Sequence, residues 1–220
     1  MEVIRGLHNL RESSRGCVLS IGNYDGVHLG HQALLGALRQ QSAATGLPAT
    51  VLTFEPTPRE YFAPDAAPRR VLTLRDKIDA LAGQGVQRVV IARFNARLAA
   101  YSAERFVREV IVQRLAAKAL VIGDDFRFGA GRKGDFALLQ QLSGEGGYTL
   151  TQAPTLVTEG LRCSSTLLRA ALAAAELEPA RRLLGRRYRI SGRVRHGKKL
   201  ARELSMPTAN LPMRRLPPLP

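Results

Sequence analysis

Five short runs of aliphatic and β-branched residues punctuate the first 153 positions of this chain, at 17–21, 49–54, 87–93, 119–122 and 148–153. Helical spacing fills the gaps between them. Ala33, Leu34, Ala37 and Leu38 predict a helix over 32–41, and Leu74, Ile78 and Leu81 one over 72–85, stopped by Gly83 and Gly85. Ser102 caps a third, with Phe106, Val107, Val110, Ile111 and Leu115 on its apolar face, and Asp135 caps a fourth that runs to Leu142. Strands this short and this apolar, alternating with helices, predict an α/β fold with a parallel sheet covered on both faces. Open sheets of that kind bind ligands beyond the carboxyl ends of their strands.

The unusual loops all follow strand ends. After the first run comes Gly22-Asn23-Tyr24-Asp25-Gly26-Val27-His28-Leu29-Gly30-His31, a glycine-punctuated turn that opens a helix. Backbone N–H groups and the positive helix end suit an anion there, phosphate above all. His28 and His31 stand about one helical turn apart, so both rings can face one phosphate. Gly30 leaves room for close approach, and Gly22 and Gly26 let the backbone fold beneath a triphosphate. Metal ligation by the two histidines is the competing reading, but no third ligand stands nearby, since His8 and His196 lie at opposite ends of the chain. Further on, Ser164-Ser165-Thr166-Leu167-Leu168-Arg169 opens a helix with three hydroxyls and an arginine. Alone it reads as a well-capped helix; beside a histidine corner it reads as a phosphate clamp.

A net charge of +15 raises the question of nucleic acid, but nine of those charges come from residues 186–220, leaving +6 for the first 185. Tyr188 is the one aromatic residue in that tail, so nucleic-acid binding is not the favoured reading. Composition shifts at residue 186, where an alternating, strand-like stretch (186–194) begins; the expected units are 1–185 and 186–220. Cys17 and Cys163 read as free buried thiols. No apolar run approaches the roughly 18–20 residues of a membrane span, and 1–15 lacks a signal-type core, so a cytoplasmic protein is expected.

The Gly-x-x-Asp-Gly-x-His-x-Gly-His corner resembles the nucleotide-binding motif of the nucleotidylyltransferase superfamily, and 164–169 its second phosphate motif. Phe54-Glu55-Pro56-Thr57-Pro58-Arg59-Glu60-Tyr61-Phe62 and Gly123-Asp124-Asp125-Phe126-Arg127-Phe128-Gly129 look like the flavin-binding loops of the prokaryotic bifunctional riboflavin kinase/FMN adenylyltransferases. Val194-Arg195-His196-Gly197 and Met206-Pro207-Thr208-Ala209-Asn210-Leu211 resemble the start of their kinase domain. Tyr24 stands where that family usually has Phe, and Ser205-Met206 where it has Gly-Phe.

The resemblance implies a Rossmann-like nucleotidylyltransferase domain followed by the incomplete start of a β-barrel riboflavin kinase domain. It implies transfer of AMP from ATP to FMN, giving FAD and pyrophosphate, with Mg²⁺ bridging the triphosphate. His28, His31 and Arg169 would be catalytic. Gly22, Tyr24, Asp25, Gly26, Ser164, Ser165 and Thr166 would join them at ATP. Phe54, Pro56, Pro58, Phe62, Asp125, Phe126 and Phe128 would hold the flavin. Thr208 and Asn210 belong to the kinase Mg–ATP element, too little of that domain for riboflavin phosphorylation to be expected. The tail is expected to be mobile or held only by contacts with the first domain, its cations exposed. A nucleotidylyltransferase of the same fold with another phosphorylated acceptor is the alternative.

Overall fold

The computed structural model describes residues 1–158 and 161–195, with Met206 and Thr208. Six strands form one wholly parallel sheet: β1 (Glu2–Arg5), β2 (Cys17–Ile21), β3 (Ala49–Glu55), β4 (Arg88–Arg93), β5 (Ala117–Gly123) and β6 (Thr149–Ala153). Their spatial order is β1-β4-β3-β2-β5-β6. From the central β2 the chain builds outward through β3 and β4, then returns to the other side of β2 for β5 and β6. Strand order therefore reverses beside β2, and the crevice above β2 and β5 is where such a sheet takes its ligand.

Alternating side chains along the strands feed two apolar layers. On one face, Val18 of β2 packs with Leu35 and Leu38 of α1 (Leu29–Thr45), Leu81 of α3 (Leu74–Gly83), Leu168 and Leu172 of α8 (Ser165–Ala173), and Leu183 and Leu184 of α9 (Leu177–Leu184). On the other, Cys17, Leu19 and Ile21 meet Phe106 of α5 (Ala103–Phe106) and Leu139 of α6 (Phe136–Gln141). Beyond α5 the helix widens over Val107–Arg114, where the Leu115 N–H reaches back five residues to Val110 O at 3.0 Å. The expected apolar face, Phe106 to Leu115, is buried throughout.

Several boundaries differ from the sequence reading. β1 was not expected; it is an edge strand of four residues with Ile4 alone buried, too little pattern to read. α1 spans 29–45, because His28 caps it and Gly46 closes it with a φ of +68°. The loop expected at 55–62 contains a helix, α2 (Pro58–Phe62), started by a capping box between Thr57 and Glu60, after a cis Glu55–Pro56 bond. A two-stranded hairpin, β7 (Val157–Thr158) and β8 (Leu161–Arg162), precedes α8. The strand expected over 186–194 is absent among the described residues: Arg186, Tyr188 and Ser191 bond back onto the preceding unit instead. Arg187, Arg189, Arg193 and Arg195 are exposed as expected, whereas Arg186 is half-buried.

Candidate active site

The turn after β2 runs through left-handed backbone at Tyr24, Gly26 and Val27, with φ of +49°, +92° and +43°. It is anchored in the sheet. The Tyr24 hydroxyl donates to Ser20 Oγ at 2.6 Å, and Ser20 donates onward to Val121 O at 2.6 Å. Tyr24 is fully buried, so the hydroxyl that distinguishes it from Phe points into the core. The glycines also do other work than the sequence reading gave them. A Cβ on Gly22 would sit 3.2 Å from the Tyr24 ring, and one on Gly26 would sit 2.7 Å from Leu168 of α8. A Cβ on Gly30 would sit 3.2 Å from both Cys163 O and the His28 ring. Gly26 and Gly30 are therefore the points at which the histidine turn meets α8 and the residue before its cap.

The two imidazoles stack, with ring centroids 3.8 Å apart and planes within 19°. His28 Nδ1 accepts the His31 N–H at 3.3 Å, which caps α1 and leaves Nε2 as the proton-bearing nitrogen of the neutral ring. Burial pushes the His28 pKa down to about 4; Asp25 opposes this, while Arg162, Arg169 and Arg186 add to it. Burial, the His28 ring and Lys77 hold His31 well below the usual histidine value. His31 Nδ1 is shut off from solvent with no hydrogen-bond partner among the described residues. Two neutral rings at the positive end of a 17-residue helix can donate hydrogen bonds to an anion.

Asp25 joins the pieces. Its carboxylate accepts the Val71 N–H at 2.9 and 3.1 Å, the Leu72 N–H at 3.2 Å and Arg169 Nη2 at 3.0 Å. Its carbonyl accepts the Ser165 hydroxyl at 2.8 Å. So Asp25 ties the histidine turn to the 71–72 segment and to α8, its carboxylate oxygens occupied by these donors. Ser164 caps α8 by accepting the Leu167 N–H at 3.2 Å. Thr166 is exposed, and Arg169 Nε is buried without a hydrogen-bond partner among the described residues. The structure thus brings the two sequence motifs together.

At the end of β3, Phe54, Tyr61 and Phe62 pack edge to face around Phe94, at 5.9, 5.3 and 5.7 Å. Phe94, just past β4, was missed. Phe62 is 66% exposed and offers a free ring face. Pro56 lies in the cis bond and Pro58 is the first residue of α2. Arg70 clamps this corner, bidentate to Glu55 at 2.7 and 3.0 Å and paired with Glu60 at 2.6 Å. Burial disfavours ionised Glu60, but Arg70 and the Thr57 N–H outweigh it and hold the carboxyl down to about 2.

The loop after β5 places Phe126 and Phe128 differently. Phe128 is core, 7% exposed, stacked on Phe126 at 5.4 Å and tilted against Phe106 at 5.7 Å. Phe126 is half-buried, and exposed Asp125 pairs with Arg162 of β8. Lys77 is a further group that the sequence reading missed. It is 1% exposed, its ammonium has no hydrogen bond or ion pair among the described residues, and it lies within electrostatic reach of His31, Asp25, Glu55, Glu60 and Arg70. Burial lowers its pKa. Thr208 is exposed, and Asn210 lies outside the described residues. No cluster of three or more His, Cys, Asp or Glu that could hold a metal occurs among the described residues, and no helix there is long and apolar enough to cross a membrane.

A family model described as FAD synthetase matches residues 10–167, and one described as riboflavin kinase matches 184–219. Similar curated proteins include a bifunctional riboflavin kinase/FMN adenylyltransferase of Pseudomonas fluorescens, 51% identical over 98% of this chain and 69% of the relative. One of the same name from Escherichia coli K12 is 50% identical with the same coverage, and one from Haemophilus influenzae is 46% identical over 98% and 70%. A crystal structure described as a macrolide-efflux protein from Streptococcus pneumoniae matches with a TM-score of 0.83 at 26% identity, covering 99% of this chain and 72% of that one.

Proposed function

This chain belongs to the FAD synthetase family, and from that premise we propose that the corner above β2 and β5 is where it joins AMP to FMN. The reaction is transfer of AMP from ATP to FMN, giving FAD and pyrophosphate. Within 1–185, the proposed adenylyltransferase unit, the observation that carries the assignment of residues is the junction at Asp25. One residue of the histidine turn holds Ser165 and Arg169 of the second phosphate motif.

The FMN phosphate is an anion at neutral pH and serves as nucleophile without a general base. Catalysis is then in-line positioning and stabilisation of charge at the α-phosphorus. Neutral His28, donating through Nε2, and neutral His31 would bond the phosphates as hydrogen-bond donors, with no proton transferred. Arg169, Thr166 and the first turn of α8 would face the leaving pyrophosphate, while the ring face of Phe62 would receive the isoalloxazine, with Phe54 and the two prolines shaping that wall. Mg²⁺ would enter with ATP as part of the substrate. The Asp25 carboxylate is saturated by N–H donors, so phosphate oxygens and water would supply its coordination. We place this chemistry in the cytoplasm and assign 186–220 to the start of the kinase unit.

Incubation with FMN, ATP and Mg²⁺ tests the reading: FAD and pyrophosphate should appear in equal amounts. His31→Ala should lose most of the turnover while keeping its far-UV spectrum. A near-normal kcat in that variant would remove His31 from the mechanism.

A further inference from the structure

The residues that follow α9 do not leave the first unit; they grip its histidine turn. Gly185 reverses the chain with a φ of +67°, and a Cβ there would lie 2.6 Å from Leu29 Cδ2, against the first residue of α1. Arg186 then lays its guanidinium across the turn. Nη2 donates to Gly26 O at 2.8 Å, and Nη1 donates to Val27 O at 3.0 Å and Leu184 O at 3.3 Å. Gln32 completes the patch, donating to Val27 O at 3.0 Å and Leu184 O at 2.7 Å.

Those carbonyls need such a partner. Gly26 and Val27 both have positive φ, a conformation that is disfavoured for a β-branched residue such as Val27 and persists only where its surroundings enforce it. Val27 is the residue before His28. A cap on α9 would require only the Leu184 carbonyl; the two shorter bonds go to the catalytic turn. Tyr188 adds a hydroxyl bond to Val71 O at 3.1 Å, on the peptide next to the N–H that holds Asp25, and Ser191 bonds Asp76.

We infer that Arg186 is a positioning residue for adenylyl transfer, its planar fork fixing the Gly26 and Val27 carbonyls in the conformation that aims His28. The segment leading toward the kinase unit is thus a working part of the adenylyltransferase site, although the matched FAD synthetase region ends at residue 167. The inference rests on His28 facing the phosphates, as proposed above.

The test uses the whole chain with FMN, ATP and Mg²⁺, comparing wild type with Arg186→Ala and Arg186→Lys. Misplacing His28 should cut kcat in the alanine variant by about ten- to a hundredfold while the KM for FMN stays within about twofold. The lysine variant should recover little, because a point ammonium cannot span two carbonyls in one plane. Millimolar guanidinium should restore part of the alanine variant's rate and leave wild type unchanged, an effect that repairing general stability would not produce. The His28 ring nitrogen resonances should also move in Arg186→Lys, which keeps the positive charge that Arg186 places beside His28, with Asp25, Arg162, Arg169 and His31 all still in place around it. A kcat within twofold of wild type, full recovery by lysine, or a loss that guanidinium does not touch would each overturn the role. A wild-type chain that makes no FAD would instead refute the reaction itself, and the unmoved or moved His28 resonances would still decide whether Arg186 positions that ring.

Discussion

Acidification should unfold this protein through His28 before its carboxylates are involved. The imidazole titrates at 6.5 when free and at about 4 in the folded chain, chiefly because burial disfavours its charged form. Between those values the unfolded chain binds a proton that the folded chain refuses. Stability is therefore full above about pH 6.5 and falls as the pH drops toward 4. Integrated from pH 7 to pH 5, the difference amounts to about 2 kcal/mol from this one ring. His31 is displaced in the same direction and adds to the loss. At a urea m-value of about 2 kcal/mol per molar, the unfolding midpoint should fall by roughly 1 M over that interval. Glu60, held down to about 2 from an ordinary 4.5, has the same sign but acts below pH 4.5, so the two windows separate. The measurement is a set of urea titrations at pH 7, 6 and 5 for wild type and His28→Gln. The variant should be less sensitive to pH across this range. Equal pH slopes in the two proteins would refute the claim that His28 is kept neutral by its site.

Two substitutions probe the supports of the site. Tyr24→Phe removes the bond to Ser20 but leaves Ser20 bonded to Val121, so it should cost about 1 kcal/mol and lower Tm by about 2–4 °C, with kcat unchanged; thermal melts and FAD formation measure both. Arg70→Met strips Glu55 and Glu60 of their shared cation and should destabilise by about 3 kcal/mol. Because α2 carries Tyr61 and Phe62, that variant should raise the KM for FMN more than the KM for ATP in steady-state assays.

The sheet was legible because its strands are short apolar runs at regular intervals, and periodicity is a local property. β1 carries one buried residue and β7 and β8 two residues each, lengths at which no period exists. Two prolines made 55–62 read as loop, yet Thr57-Pro58-Arg59-Glu60 holds the capping-box spacing with proline at the first helical position, a signal that could have found α2. Glycines flanking an aromatic pair, as Gly123, Gly129 and Gly134 flank Phe126 and Phe128, read locally as an exposed turn. They are there because a Cβ on Gly129 would lie 2.7 Å from the Ala103 backbone, and one on Gly134 2.7 Å from the Phe128 ring. The histidine corner and the 164–169 helix start were legible as motifs. Their junction was not, since Asp25 reaches Val71, Leu72 and Arg169 across 46 to 144 positions. Lys77 occupies a helix that sequence alone would place with a solvated charge.

Asp25 also dictates how mutational data on this corner must be weighed. A single carboxylate ties three distant stretches of chain, so its removal detaches the 71–72 segment and Arg169 at one stroke. A dead Asp25→Ala protein would score as evidence for a catalytic acid in any survey that records activity alone, although no proton need ever leave or reach that side chain. Thr166, exposed and next in the chain to the Ser165 that bonds Asp25, is the more diagnostic probe: its loss should change pyrophosphate handling and nothing in the architecture.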